Sequence, residues 1–154
     1  MELDSYITGF VDGEGSFLVS FSKRERMNTG IEARPAFTVS QNMRSDKILS
    51  VLKDYFDCGS IRFNSSDQTF KYEVRSLNEL TSRIIPHFIR YPLMSSKSED
   101  FKKFSEICQL MERKKHLTRN GIREIIGLAY EMNNLGARRY AKDRLLRAVD
   151  EMKV

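Results

Sequence analysis

Residues 6–17 read YITGFVDGEGSF, and this stretch changes character along its length. Asp4 or Ser5 can cap a short helix over Tyr6 to Gly13, with Asp12-Gly13-Glu14-Gly15 closing it. From Ser16 the period becomes two. Phe17, Val19 and Phe21 alternate with Leu18, Ser20 and Ser22, as in a half-buried strand. Gly9 and Gly13 stand four apart and so share one face of the helix. Lacking side chains, they would let another backbone come close, which is one reason to accept the helix stability each costs. The motif occurs once, so a partner helix would have to come from a second copy across a two-fold, isologous contact. The plainer reading is a glycine-rich helix end that only turns the chain. Glu14 falls where backbone carbonyls lose their intrahelical partners. A carboxylate beside such a carbonyl offers hard oxygen ligands suited to Mg²⁺, which also keeps waters and takes phosphate oxygens. Taken alone, Glu14 also reads as a surface acid in a turn.

Working outward, the tract from Lys23 to Glu32 is polar and contains the turn Asn28-Thr29-Gly30. A second strand is predicted over Pro35 to Gln41, then a helix over Ser45 to Phe56 with Ile48, Leu49, Leu52, Tyr55 and Phe56 at helical spacing. Cys58-Gly59 ends that helix. Two more strands follow, Ser60 to Asn64 and Thr69 to Arg75, joined by Asn64-Ser65-Ser66-Asp67. Ser76 and Glu79 form a capping box for a helix from Leu77 to about Ile85. The remainder is helical: roughly Glu99 to Lys114, Thr118 to Asn133 and Ala137 to Met152. This order predicts an α+β fold with an antiparallel sheet. One sheet face is apolar. The other carries Ser20, Ser22, Arg24, Glu32, Arg34, Thr38, Arg62, Asn64, Lys71, Glu73 and Arg75. Arginine and asparagine can read bases bidentately in a major groove and lysine can hold phosphate. A plain solvated face would show the same alternation.

The totals set bounds on this reading. A chain of 154 residues fits one domain, 1–154, with 40% hydrophobic and 31% charged residues and no repeat. No run approaches the ~18 apolar residues of a membrane span. The opening MELDSYITGF is acidic, which points away from a secretory signal and towards an intracellular setting. Cys58 and Cys108 lack metal or disulfide spacing and read as core thiols in a reducing compartment. A net charge of +5 suits a polyanionic partner without requiring one. The chain carries no phosphate-binding glycine loop, no H-E-x-x-H, no paired C-x-x-C and no G-x-S-x-G nucleophile turn.

YITGFVDGEGSF resembles the motif of the LAGLIDADG homing endonucleases. Further matches follow in order: AFTVSQ (36–41), YEVRSLNEL (72–80), PHFIRYPLMSSKSEDFKKF (86–104) and KHLTRNGIREI (115–125). The resemblance covers roughly Ser5 to Asn133. It implies an αββαββα core whose four-stranded antiparallel sheet forms a DNA-binding saddle. The motif helix would span about 5–13, and extra helices would occupy about 99–154. Single-motif chains of the family are homodimers, which implies a subunit contact through Tyr6, Gly9, Phe10 and Gly13. The resemblance places Glu14 at the metal-binding acidic position, with the Gly13 carbonyl helping. Two copies of Glu14 brought together would repel unless cations lay between them. It further implies that Gln41 borders the active site and orders water, and that Lys97 lies near the cleaved phosphate. Arg44 is a further DNA-contact candidate. Asp12, His87 and His116 read as structural. The cofactor implied is Mg²⁺, with Mn²⁺ or Ca²⁺ able to substitute in binding. The activity implied is a double-strand cut in a long, near-palindromic DNA site that promotes movement of a group I intron. An organelle, or a bacterial or archaeal cytoplasm, would be its setting. Two alternatives on the same fold stay open: an intron RNA maturase and a DNA-binding module that does not cut.

Overall fold

The motif helix runs past the limits its sequence predicts. In the computed structural model, which describes residues 2–132, 138 and 140–152, helix α1 spans Leu3–Glu14. The Tyr6 amide donates to the Glu2 carbonyl at 3.1 Å, so the ladder begins a turn early. Asp4 in the first turn complements the positive end of the helix. Ile7, Thr8 and Val11 form the buried stripe. Glu14 is the last helical residue, and the Gly15 amide closes the end on the Val11 carbonyl. The chain enters strand β1 (Gly15–Lys23) without a loop. Only glycine fits at this junction, because a Cβ on Gly15 would stand 2.7 Å from a Val11 methyl.

Strand β2 (Ile31–Asn42) begins four residues before the predicted start at Pro35 and ends one after Gln41. The reason is local. Glu32 and Arg34, expected on the outward sheet face, belong to this strand, and Glu32 pairs with Arg24 at 2.9 Å. Helix α2 (Lys47–Phe56) follows a 3-10 turn at Met43–Ser45, so the predicted start at Ser45 is too early by two residues. Asp57 ends α2 in the left-handed region. Gly59 is also left-handed, at φ 86°, and a Cβ on it would stand 2.8 Å from the Glu73 carbonyl oxygen. Strands β3 (Ser60–Asn64) and β4 (Thr69–Val74) complete a four-stranded antiparallel sheet in the order β1-β2-β4-β3. Register pairs Phe37 with Val74 and Asn42 with Thr69 across β2 and β4, and Ser60 with Glu73 across β3 and β4.

Ser76 caps α3 (Leu77–Glu79) by accepting from the Glu79 amide. The helix then continues, through a π segment at Leu80–Ile84, into α4 (Ile85–Arg90). The helix therefore runs past the predicted end near Ile85 and carries Pro86 within it. A proline must be bypassed in a helix because it lacks an N–H and crowds the carbonyl four residues back. The wider π turn lies just before it, and the Ser82 and Thr81 hydroxyls donate to the Asn78 and Leu77 carbonyls at 2.6 and 2.9 Å. Helices α5 (Lys97–Glu112), α6 (Arg119–Tyr130) and α7 (Lys142–Glu151) form the C-terminal part. The predicted ends at Asn133 and Ala137 lie outside the described residues.

Contacts group the chain into two compact units, residues 1–17 with 36–98, and residues 18–35 with 99–154. The first is centred on Ile7, Val11, Phe17, Phe37, Leu52, Tyr72, Leu80, Ile84 and Phe88, all at most 1% exposed. Phe37 meets Phe17 and Phe88 with centroids 5.2 and 5.8 Å apart. The second unit is centred on Ile31, Phe104, Ile107, Cys108, Ile122, Ile125, Ile126, Leu145 and Val149, each fully buried. Burial pushes the Cys108 thiol up to about 12, so it behaves as a small apolar residue. Among the described residues no helix is long and apolar enough to cross a membrane.

Candidate active site

Three polar side chains from distant parts of the sequence gather at the last turn of α1. Glu14 is exposed there, as the helix's final residue. Gln41, one residue before the end of β2, donates from Nε2 to Glu14 Oε2 at 3.3 Å and to the Ser40 carbonyl at 2.8 Å. Lys97, the first residue of α5, donates from Nζ to the Val11 and Asp12 carbonyls at 2.9 and 3.0 Å. A cation on the terminal carbonyls of a helix is favoured by the partial negative charge that collects at that end. Positive charge therefore sits on the helix end that carries Glu14.

Asp12 explains how Lys97 comes to be there. Its carboxylate accepts from the Met94 amide at 2.8 Å, the Ser95 amide at 3.1 Å and the Ser95 hydroxyl. Ser95 Oγ in turn accepts from the Lys97 amide at 3.2 Å. Burial opposes ionisation of Asp12. The Ser95 hydroxyl, the two amides and the Lys97 charge outweigh it and hold the carboxyl below its ordinary value. These bonds fit the structural reading of Asp12 and name the segment it braces. The partners are invisible in sequence, since two of them are backbone amides some eighty residues away. His87 has a different environment and does not join this group. It bonds Thr8 Oγ1 and Tyr55 Oη, each at 3.0 Å.

The outer face of α1 is open. Tyr6 is 41% exposed, Gly9 and Gly13 are exposed, and Phe10 is half-buried. A Cβ placed on Gly9 or Gly13 would meet nothing within 4 Å, so neither glycine is required by the packing of its own chain. Tyr6 and Phe10 stack at 6.4 Å beside them.

The outward sheet residues fall in both units. In the first, Arg62, Asn64, Lys71 and Arg75 are exposed, whereas Thr38 and Glu73 lie on the same face but are only 7% and 8% exposed. Glu73 Oε1 holds Arg62 Nη2 at 2.8 Å and Arg75 Nε at 3.0 Å. The Asn64 side-chain oxygen accepts from the Ser66 amide and hydroxyl at 3.0 and 2.7 Å, so its acceptor braces the loop. Exposed Arg44 sits in the 3-10 turn, where the Asn42 side chain takes its amide at 3.0 Å. In the second unit, Glu32 pairs with Arg24 at 2.9 Å and with Arg34 at 3.7 Å. Ser20 donates to the Arg34 carbonyl, and Ser22 accepts from Arg34 Nη1, both at 3.5 Å.

Residues 7–108 match a family model described as LAGLIDADG endonuclease. The chain is also similar to a probable intron-encoded endonuclease 2 of Neurospora crassa, 36% identical over 123 residues that cover 79% of this chain and 27% of that protein. It spans about a quarter of the length of several such curated relatives. An archaeal intron-encoded homing endonuclease, I-Vdi141I, solved in complex with DNA, superposes with a TM-score of 0.89 at 30% identity. That match covers 97% of this chain and 96% of the other. I-SmaMI, bound to an uncleaved DNA target in the presence of calcium ions, superposes with a TM-score of 0.86 at 32% identity, covering 96% of this chain but 49% of that one.

Proposed function

Because the chain belongs to the LAGLIDADG endonuclease family, we propose that it is a site-specific DNA endonuclease. It works as a homodimer and cuts both strands of a long, near-palindromic duplex with a divalent cation, Mg²⁺ in the cell. The observation that carries this reading is the meeting of Glu14, Gln41 and Lys97 at the end of α1. The homodimer is supported by the open glycines on α1 and by a single motif per chain. It is supported too by likeness along nearly the whole of I-Vdi141I but only half of I-SmaMI.

The donor set fits a hard cation. Among the described residues no three His, Cys, Asp or Glu side chains gather as a ready metal cage. Glu14 supplies one exposed carboxylate, so further ligands must be backbone oxygens, phosphate oxygens or the second copy's acid. That is how Mg²⁺ is usually held, and it suits neither zinc nor copper. When bound, such a cation activates water and stabilises the leaving oxygen of a phosphodiester. Gln41 fixes one Glu14 oxygen, and its own amide oxygen can accept from a water. Lys97, held on the helix carbonyls, offers a cation where phosphate charge develops. The outward arginines and Lys71 contact the duplex, and the basic face makes binding depend on salt. Relatives named as intron-encoded endonucleases support a role in intron movement within an organelle or a microbial cytoplasm.

Selecting cleaved sites from a random duplex library in Mg²⁺ tests the activity and the palindrome together. Glu14→Gln should bind the selected site with wild-type affinity yet cut it roughly a thousandfold more slowly. Undiminished cutting by that variant would sink the metal assignment. A wild-type protein that cuts nothing in Mg²⁺ or Mn²⁺ would sink the nuclease.

A further inference from the structure

Glu73 is an odd residue for a sheet face that meets a polyanion. It stands opposite Thr38 on β2 and Ser60 on β3 and is 8% exposed. Both of its arginine contacts are made on one oxygen, Oε1, while the side chains of Arg62 and Arg75 stay 67% and 60% exposed. Burying a carboxylate is costly, and apolar groups in place of a buried ion pair commonly lose no stability. Simple attraction to phosphate would be better served without the acid, which cancels one of the two positive charges. What Glu73 does supply is direction. An arginine anchored through Nε presents its two terminal NH₂ groups as a flat fork, the shape that matches N7 and O6 of guanine in the major groove. Arg75 is anchored in this way, and Arg62 is restrained on the same oxygen through Nη2. Glu32 in the second unit makes a looser arrangement: it is partly exposed, holds Arg24 Nε at 2.9 Å on Oε2, and stands 3.7 Å from Arg34 Nε through Oε1.

We infer that Glu73 is a positioning residue for base recognition, holding Arg62 and Arg75 as guanine readers instead of phosphate clamps. This rests on the DNA-cutting reading above and adds to it the base class read and the residue that enforces it. The carboxylate lies beneath its arginines and touches no base itself.

Site selection by binding, in Ca²⁺ to prevent cutting, would compare the wild type with Glu73→Gln, Arg62→Ala and Arg75→Ala. Each arginine variant should lose preference at one G·C pair by roughly 5- to 150-fold and leave other positions alone. Glu73→Gln should weaken preference at both of those pairs. It should also bind non-specific duplex more tightly, with a salt dependence steeper by about one unit as a released arginine turns to phosphate. Circular dichroism checks folding, and the exposed arginine variants stand on their own if Glu73→Gln folds poorly. Three results overturn the inference: A·T pairs at the arginine-sensitive positions, arginine variants with unchanged preference, or a Glu73→Gln protein changed only in stability. A wild type that selects no sequence at all overturns the DNA reading beneath it, which is a separate result.

Discussion

The two ends of α1 treat their polar groups in opposite ways. Near the start, Asp4, Tyr55, His87, Thr8 and the Tyr91 carbonyl form a continuous chain of contacts. The Tyr55 hydroxyl lies within bonding distance of both Asp4 and His87 Nδ1; Thr8 bonds His87 Nε2 at 3.0 Å and donates to the Tyr91 carbonyl at 2.9 Å. Thr8 spends its one proton on that carbonyl, so His87 must donate from Nε2, which fixes the tautomer. Burial pushes His87 down to about 4, against the pull of Asp4. At the far end Glu14 is exposed and takes one side-chain bond from Gln41 at 3.3 Å. The lesson concerns where to look for chemistry. His87, with a large pKa displacement, is a buried structural histidine, whereas the acid at the site is the exposed one with room for other ligands.

That contrast can be broken at either end. The largest effect is expected from Lys97→Met, which should slow cleavage of the selected site by roughly 10²- to 10³-fold, as for loss of a charge-stabilising donor. Its unfolding midpoint should stay close to wild type, since the loop keeps its Asp12 bonds. Equal losses in stability and rate would make Lys97 a brace instead.

Next is the pH dependence of the buried end. His87 titrates lower in the folded chain than in the unfolded one, so its stabilising contribution is complete above the unfolded value near 6.5. It is lost as pH falls from there towards about 4, because the unfolded chain takes up the proton first. Below that value no more is lost from this group. The total is about 3 kcal/mol. Urea unfolding between pH 7 and pH 4, compared with His87→Gln, should show the wild type losing that much more. Parallel curves would mean that His87 is already charged in the fold.

How far these two ends can be read from sequence differs for a physical reason. Helical spacing reveals Gly9 and Gly13, and the change of period at Ser16 reveals the helix end that makes Glu14 special. Gln41 and Lys97 come only by resemblance, because nothing local marks a strand-end amide or a helix-start lysine. The partners of Asp12 escape, since an amide donor has no residue signature. The early start of β2 escapes for a related reason. Glu32 and Arg34 can be placed on the outward sheet face, but where the strand starts shows only once their partner Arg24 is in view. Likewise the predicted end near Ile85 falls short, and only the π segment shows how the helix passes Pro86.

A smaller change tests whether Asp12 serves the site or only the fold. Asp12→Asn keeps the side chain's shape but halves its acceptors and removes its charge. It should lower the single-turnover cutting rate about tenfold, near 1.4 kcal/mol, while the affinity for target DNA in Ca²⁺ stays the same. Loss of rate and affinity together, in step with stability, would reduce Asp12 to scaffolding.

The smallest effect belongs to Tyr55→Phe. The Tyr55 hydroxyl has one proton and faces two acceptors, Asp4 and His87 Nδ1, so only one can be served at a time. Its bond to Asp4 is the largest influence holding that carboxyl below the ordinary value. Without the hydroxyl, Asp4 turns to water at little cost, but His87 Nδ1 is left buried beside an aromatic ring. A lost buried acceptor contact of this kind costs about 1 kcal/mol, and the cleavage rate should not change. A neutral or stabilising outcome would mean that His87 Nδ1 gains nothing from Tyr55, and that the proton already belongs to Asp4. The closed end of α1 would then be held by Thr8 alone.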